Sequence, residues 1–155
     1  RQRDEEQRKG EVTMKTSLIL AKKGPNVATI QPGRTIREAI GVLAMHNIGS
    51  LVVVDDNRQP IGILEEHDII RRAASDEAIF ERLVSEVMKK DMIIGSPHDD
   101  LRMLAHTMTE TRTRHMPILE EGVLVGIVSI GDILKAERDT YMGEIDRLQI
   151  EILGS

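Results

Sequence analysis

IGILEEHDII, residues 61–70, returns as VGIVSIGDIL at residues 125–134, and this internal echo decides the architecture. Each copy follows a hydrophobic strand pattern and, before that, a helical one. The upstream parts correspond too: QPGRTIREAIGVLAMHNIGSLVVVDD from Gln31 aligns with SPHDDLRMLAHTMTETRTRHMPILEE from Ser96. Only one residue has to be dropped, in the turn near Asn57 to Pro60, where added loop length costs little. A repeat of this kind is one supersecondary unit used twice, the two copies burying together a face that neither buries alone. The duplication points to paired, related binding sites and away from a single catalytic cleft.

Local patterns fill in each copy. A short apolar stretch from Ser17 to Ala21 runs into the breaker Lys22-Lys23-Gly24-Pro25, and Val27 to Ile30 reads as a brief strand. Thr35-Ile36-Arg37-Glu38 has the form of a capping box, so a helix starts there; Ile36, Ala39, Ile40, Leu43 and Ala44 recur at helical spacing until Asn47 to Gly49 ends the run. Leu51 to Val54 is apolar on both faces, the mark of a strand in a parallel sheet covered by helices. Ile61 to Leu64 predicts another strand and Asp68 to Ala74 a helix. The second copy predicts a strand at Met92 to Ile94 and a helix carrying Leu101, Leu104, Ala105 and Met108. Strands at Pro117 to Leu119 and Val123 to Val128 follow, with a helix from Gly131 onward. Tyr141 to Leu153 places Ile145, Leu148 and Ile152 on one helical face, a surface suited to docking on a partner.

Composition narrows the function classes. The 155-residue chain carries a net charge of −5 with one Phe, one Tyr and no Trp, so it offers neither a basic footprint nor stacking rings for nucleic acid. No apolar run approaches the ~20 residues of a membrane span, and no signal-like segment opens the chain. Without cysteine there are no disulfides, no thiolate zinc site and no thiol nucleophile, and a cytoplasmic address is expected. Residues 1–13 are largely charged and read as a disordered or tag-like leader, with Met14 as a candidate start. Five histidines form no HExxH or comparable ligand pair, so no metal site is expected, and the eight methionines read as core filler. No nucleophile–base pair and no P-loop are present, which argues against an enzyme.

The strand–helix–strand–strand–helix unit closed by GILEEHD and GIVSIGD, with RHMPILEEG ahead of the second, resembles the cystathionine-β-synthase (CBS) domain; two in tandem resemble a Bateman module. The resemblance covers roughly residues 14–139. It implies an α/β (α+β) fold of two β-α-β-β-α repeats related by a pseudo-two-fold axis, with repeat 1 at 14–75, repeat 2 at 76–139 and a C-terminal helix or tail at 140–155. It further implies a homodimer that binds an adenine nucleotide, AMP, ADP, ATP or NAD, between the repeats and regulates a client protein not identified by the sequence. The residues supply the chemistry. Asp132, acceptor-only when ionised, suits a ribose cis-diol, Ser129 the sugar or nearby phosphate, and Gly131 close approach to the helix amides. Arg114, beside His115, suits the phosphate. By resemblance, Ala28, Ile48 and Gly49 of the opposite repeat hold the adenine, between aliphatic side chains and backbone groups. A second, weaker site corresponds to Ile93, Thr113, Glu65, His67 and Asp68, where Glu65 replaces the serine and opposes a phosphate. A structural oligomerisation module with a largely vestigial cleft is the alternative.

Overall fold

The computed structural model describes residues 14–154, so the reading of residues 1–13 as a leader lies outside the described residues. The chain runs α1 (Thr16–Lys23), β1 (Thr29–Ile30), α2 (Ile36–His46), β2 (Ser50–Val54), β3 (Pro60–Glu65) and α3 (Glu66–Ala73). A 3₁₀ turn (Ile79–Glu81) and α4 (Val84–Val87) lead to α5 (Leu101–Glu110), β4 (His115–Glu120), β5 (Val123–Ser129) and α6 (Ile130–Leu153). Thr35 caps α2 as its motif demands, its Oγ1 accepting from the Glu38 amide at 3.2 Å. Asn47 ends that helix in the left-handed conformation that a short polar side chain tolerates.

The two hairpins are duplicates in register. Val53 faces Gly62 as Ile118 faces Gly126, Ser50 faces Glu65 as His115 faces Ser129, and a bulge falls at the same place, after Val53 and after Ile118. Five residues separate the paired Val54 and Pro60, and four separate Leu119 and Leu124, which is where the alignment drops one residue. The sheet differs from the parallel expectation. β2 runs parallel only to the two-residue β1 and antiparallel to β3, because a five-residue turn cannot carry the crossover that parallel neighbours need. The strand expected at Met92 to Ile94 is reduced to a single parallel bridge between Gly95 and Ile118. Gly95 stands where β1 has Ile30, and a Cβ there would come within 2.9 Å of Ile118 Cδ1 and 3.0 Å of Met116 Sδ. A glycine that gives its space to neighbouring side chains weakens the strand.

Each repeat has its own core, but the chain segments that complete the two cores are exchanged. Ile19 of α1, at the head of repeat 1, is buried with Leu101, Met108, Ile118 and Ile133 of repeat 2. Ile79 and Val84, at the head of repeat 2, are buried with Ile36, Leu51 and Leu64 of repeat 1. Matching backbone bonds fasten both exchanges: Leu101 N donates to Met14 O at 2.9 Å, and Ile36 N to Arg82 O at 2.8 Å. The C-terminal helix is the uninterrupted continuation of repeat 2's last helix, buried at Ile133 and Ala136 and exposed from Tyr141 onward. No helix among the described residues is long and apolar enough to cross a membrane.

Candidate functional site

Where β1 and the α2–β2 junction of repeat 1 meet β5 and the start of α6, they enclose a cavity of about 680 Å³. Six of the eight residues assigned to the principal site line it: Ala28, Ile48, Gly49, His115, Ser129 and Asp132. Lys23, Asn26, His46 and Ser50 add polar groups to its walls, and Val27, Val42 and Ile127 apolar ones. The size falls in the range of small-molecule sites. Arg114 and Gly131 stand outside this lining. The Arg114 side chain is exposed, without a hydrogen bond or ion pair among the described residues, while its carbonyl accepts the Ile130 amide at 3.0 Å. Gly131 is exposed in the first turn of α6, with only Ser129 Oγ, at 3.6 Å, near the position of a Cβ.

Ser129 and Asp132 form a reciprocal capping box, Asp132 N donating to Ser129 Oγ at 3.0 Å and Ser129 N to Asp132 Oδ2 at 2.9 Å. The same Oδ2 accepts from Lys23 Nζ at 2.8 Å, and Lys23 also donates to the Ile127 carbonyl at 2.8 Å. Among the described residues Asp132 Oδ1 has no hydrogen-bond partner. Burial pushes the Asp132 carboxyl up, but the hydrogen bonds from Lys23 and the Ser129 amide more than offset it and hold the group below the usual carboxylate range. The cavity therefore presents an ionised carboxylate with one free oxygen beside a serine hydroxyl and an aliphatic wall.

The counterpart in repeat 1 is built differently. Glu65, in the place of Ser129, is buried and provides α3 with no side-chain cap. Its carboxylate instead meets His115 Nδ1 at 3.1 Å and Lys89 Nζ at 3.4 Å, and Lys89 reaches Asp68 Oδ2 at 3.5 Å without making a hydrogen bond. The pseudo-two-fold axis thus sets Glu65 and His115 against Ser129 and Ser50. Glu65, His67 and Asp68 hold potential ligand atoms within 4.8 Å of one another; the cation that faces the two carboxylates is Lys89. Ile93 packs against the second core, and Thr113 Oγ1 stays with Thr111. The carboxyl of Glu65 is raised by burial and lowered further by the hydrogen bond to His115 and by Lys89, with a net downward shift.

A pH dependence follows from the two carboxylates. Folded Glu65 and Asp132 lose their protons at lower pH than the unfolded chain does, so their stabilisation is complete above about pH 4.5 and disappears as pH falls through the folded values. The urea midpoint is expected to drop as the buffer goes from about pH 5 to about pH 3, with a shallower drop in the Glu65→Gln/Asp132→Asn double variant. Identical pH profiles for the two proteins would contradict this assignment.

Lys23 and Lys89 are the residues that sequence reading did not place. Lys23 figured there only within the breaker that precedes the first strand, and Lys89 not at all. Each comes from the opening segment of one repeat and lands on the helix-start aspartate of the other: Lys23 on Asp132, Lys89 on Asp68. The signal was the position of a lysine just ahead of each repeat's first strand.

A model of the CBS domain matches residues 20–75 and again 84–139. The chain belongs to the CBS-domain family. It is 35% identical over 107 residues to the CBS domain-containing protein YhcV of Bacillus subtilis, spanning 69% of this chain and 76% of that one. The crystal structure of the CBS-domain protein ATU1752 from Agrobacterium tumefaciens, 36% identical, matches with a TM-score of 0.77 over 80% of this chain and 99% of that chain. The CBS domain pair of protein MJ0100, in complex with 5′-methylthioadenosine and S-adenosyl-L-methionine, shares the fold at 23% identity. Its TM-score is 0.75, over 83% of this chain and 99% of that one. A CBS pair is a regulatory module, and the cavity described above lies between the two CBS domains of this one.

Proposed function

We propose that this CBS pair is a non-catalytic, cytoplasmic energy-sensing module that binds one adenine nucleotide, AMP, ADP, ATP or NAD, per chain in the cavity between its repeats. The observation that carries this reading is the convergence of the Asp132 carboxylate and Ser129 hydroxyl from one repeat with Ala28, Ile48 and Gly49 from the other in a single cavity of ligand size. An ionised carboxylate accepts the hydroxyls of a ribose. Val27, Val42, Ile48 and Ile127 offer an aliphatic bed for the base, and neither aromatic of the chain lines it: Phe80 packs under Arg37 and Tyr141 lies exposed on α6. The adenosine compounds bound by the MJ0100 pair support the same ligand class. Repeat 1's counterpart is occupied by Glu65, His115 and Lys89, hence one site per chain. Ile40, Ile69 and Ile70 line an apolar groove, and the exposed Leu148 and Ile152 of α6 add apolar surface, as a homodimer requires. Ligand then acts by binding the two packings of that dimer, or of a chain and its client, unequally.

Thermal denaturation with AMP, ATP and NAD tests the reading. A ligand present at a hundred times its dissociation constant adds about 2.7 kcal/mol, raising Tm by about 5 °C or more in a chain of this size. Calorimetry is expected to count one ligand per chain; two equal sites would contradict the closed first cleft. A structural oligomerisation module is the second reading, favoured by Glu65, and a Tm unmoved by all three nucleotides would select it.

A further inference from the structure

The pairing of Lys23 with Asp132 bears on which adenosine compounds the cavity accepts. We infer that Lys23 makes the site selective for 5′-phosphorylated adenosine over adenosine compounds without a phosphate, by screening Asp132 from the ligand's phosphate; this rests on the nucleotide reading above. Lysine has three donors. Two are spent on Asp132 Oδ2 and the Ile127 carbonyl, leaving one, on a side chain that is 39% exposed. Asp132 in turn keeps Oδ1 free. A cationic donor and an anionic acceptor therefore stand side by side at the cavity wall. That arrangement complements a molecule that has a hydroxyl donor and a phosphate acceptor one sugar apart.

The surroundings give the phosphate a direction. The Lys23–Asp132 pair also lines a second hollow of about 110 Å³ between α1 and α6, where Lys22, Lys135 and Asp139 stand beside the apolar Ile19 and Ala136. The pair is common to the lining of both spaces. Lys22 is only loosely engaged, 3.8 Å from Asp139. Arg114, expected at the phosphate, is absent from both linings, so the cationic role passes to the lysines. Without Lys23 an unscreened Asp132 repels the phosphate, whereas an uncharged adenosine compound keeps the free Oδ1 and meets an Oδ2 held by the Ser129 amide alone.

The test is calorimetric titration of AMP, ATP and 5′-methylthioadenosine into the full chain and into Lys23→Met and Lys23→Arg. Lys23→Met is expected to weaken AMP and ATP by about tenfold or more, the scale of one charge-assisted hydrogen bond. Methylthioadenosine affinity holds or improves, and Lys23→Arg restores the preference for phosphate. A melting curve of each ligand-free variant verifies the fold. Equal weakening of all three ligands, or no change for the phosphorylated pair, overturns the inference while leaving the nucleotide reading intact. Failure of the unsubstituted chain to bind any of the three overturns both.

Discussion

Asp132→Ala is expected to weaken adenine-nucleotide binding by about a hundredfold or more while lowering stability by only about 1 kcal/mol. The two effects separate because the residue does two jobs with different atoms. Toward the ligand it contributes an ionised carboxylate, and loss of two charge-assisted hydrogen bonds to a sugar, at roughly 1.5–3 kcal/mol each, removes about 3–6 of the roughly 8 kcal/mol of a micromolar affinity. Toward the fold it contributes half a capping box. Its side chain satisfies the Ser129 amide, but the other half, from its own amide to Ser129 Oγ, survives truncation. Lys23 keeps the Ile127 carbonyl and is exposed enough to rehydrate. Asp132→Asn, which preserves volume and one acceptor oxygen, is expected to fall between the two, near tenfold weaker. Calorimetry and urea melts on the same three proteins read both quantities; affinity unchanged in the alanine variant would exclude Asp132 from the site.

Much of the fold was legible because its signals are local. The capping box at Thr35, the β-branched run of β2 and the aligned repeats each depend on residues close together in the chain, and the hairpin registers follow from the turns that join them. The first strand of repeat 2 was not legible. Met92-Ile93-Ile94 is as apolar as a strand requires, but whether it pairs depends on Gly95 ceding its space to Met116 and Ile118, whose positions are set by a hairpin twenty residues away. Nor was the sheet's mixed direction evident in the apolarity of β2, which reports burial on both faces and not the orientation of its neighbours.

The site divides along the same line. Ser129 and Asp132 announce themselves, since a serine followed three residues later by an acid is written into one helix start. Ala28, Ile48 and Gly49 carry no chemical signature of their own and came only from resemblance. Lys23 escapes local reading because 109 residues separate it from Asp132, and only the exchange of α1 onto repeat 2 brings them together. Glu65 was singled out, from its position in the repeat alone, as a departure. Its partners, His115 and Lys89, both from the other repeat, required the packed structure.

That exchange also sets how the molecule unfolds. Leu51→Ala is expected to cost about 3 kcal/mol, as for a fully buried leucine whose cavity collapses only in part, and to bring down both repeats in one transition. Leu51 belongs to the first core, and Met116 occupies the same register in the second. Two separate cores would ordinarily permit two transitions. Here repeat 2 is completed by α1, joined to it through residues 24–91, most of which are repeat 1. While repeat 1 is folded that connection is short in space. Once it unfolds, holding α1 in place means closing a flexible loop of roughly 70 residues, at an entropic cost of about 4 kcal/mol. Departure of α1 removes Ile19 from the second core, breaks the Leu101–Met14 backbone bond and takes Lys23 from Asp132. The second core cannot absorb losses of that size within the few kcal/mol by which domains are stable. Circular dichroism and calorimetric melts are therefore expected to coincide for the unsubstituted chain, for Leu51→Ala and for Met116→Ala alike. A Leu51→Ala protein that retained half its helix through a second, higher transition would show the exchanged helix to be dispensable to the repeat it covers.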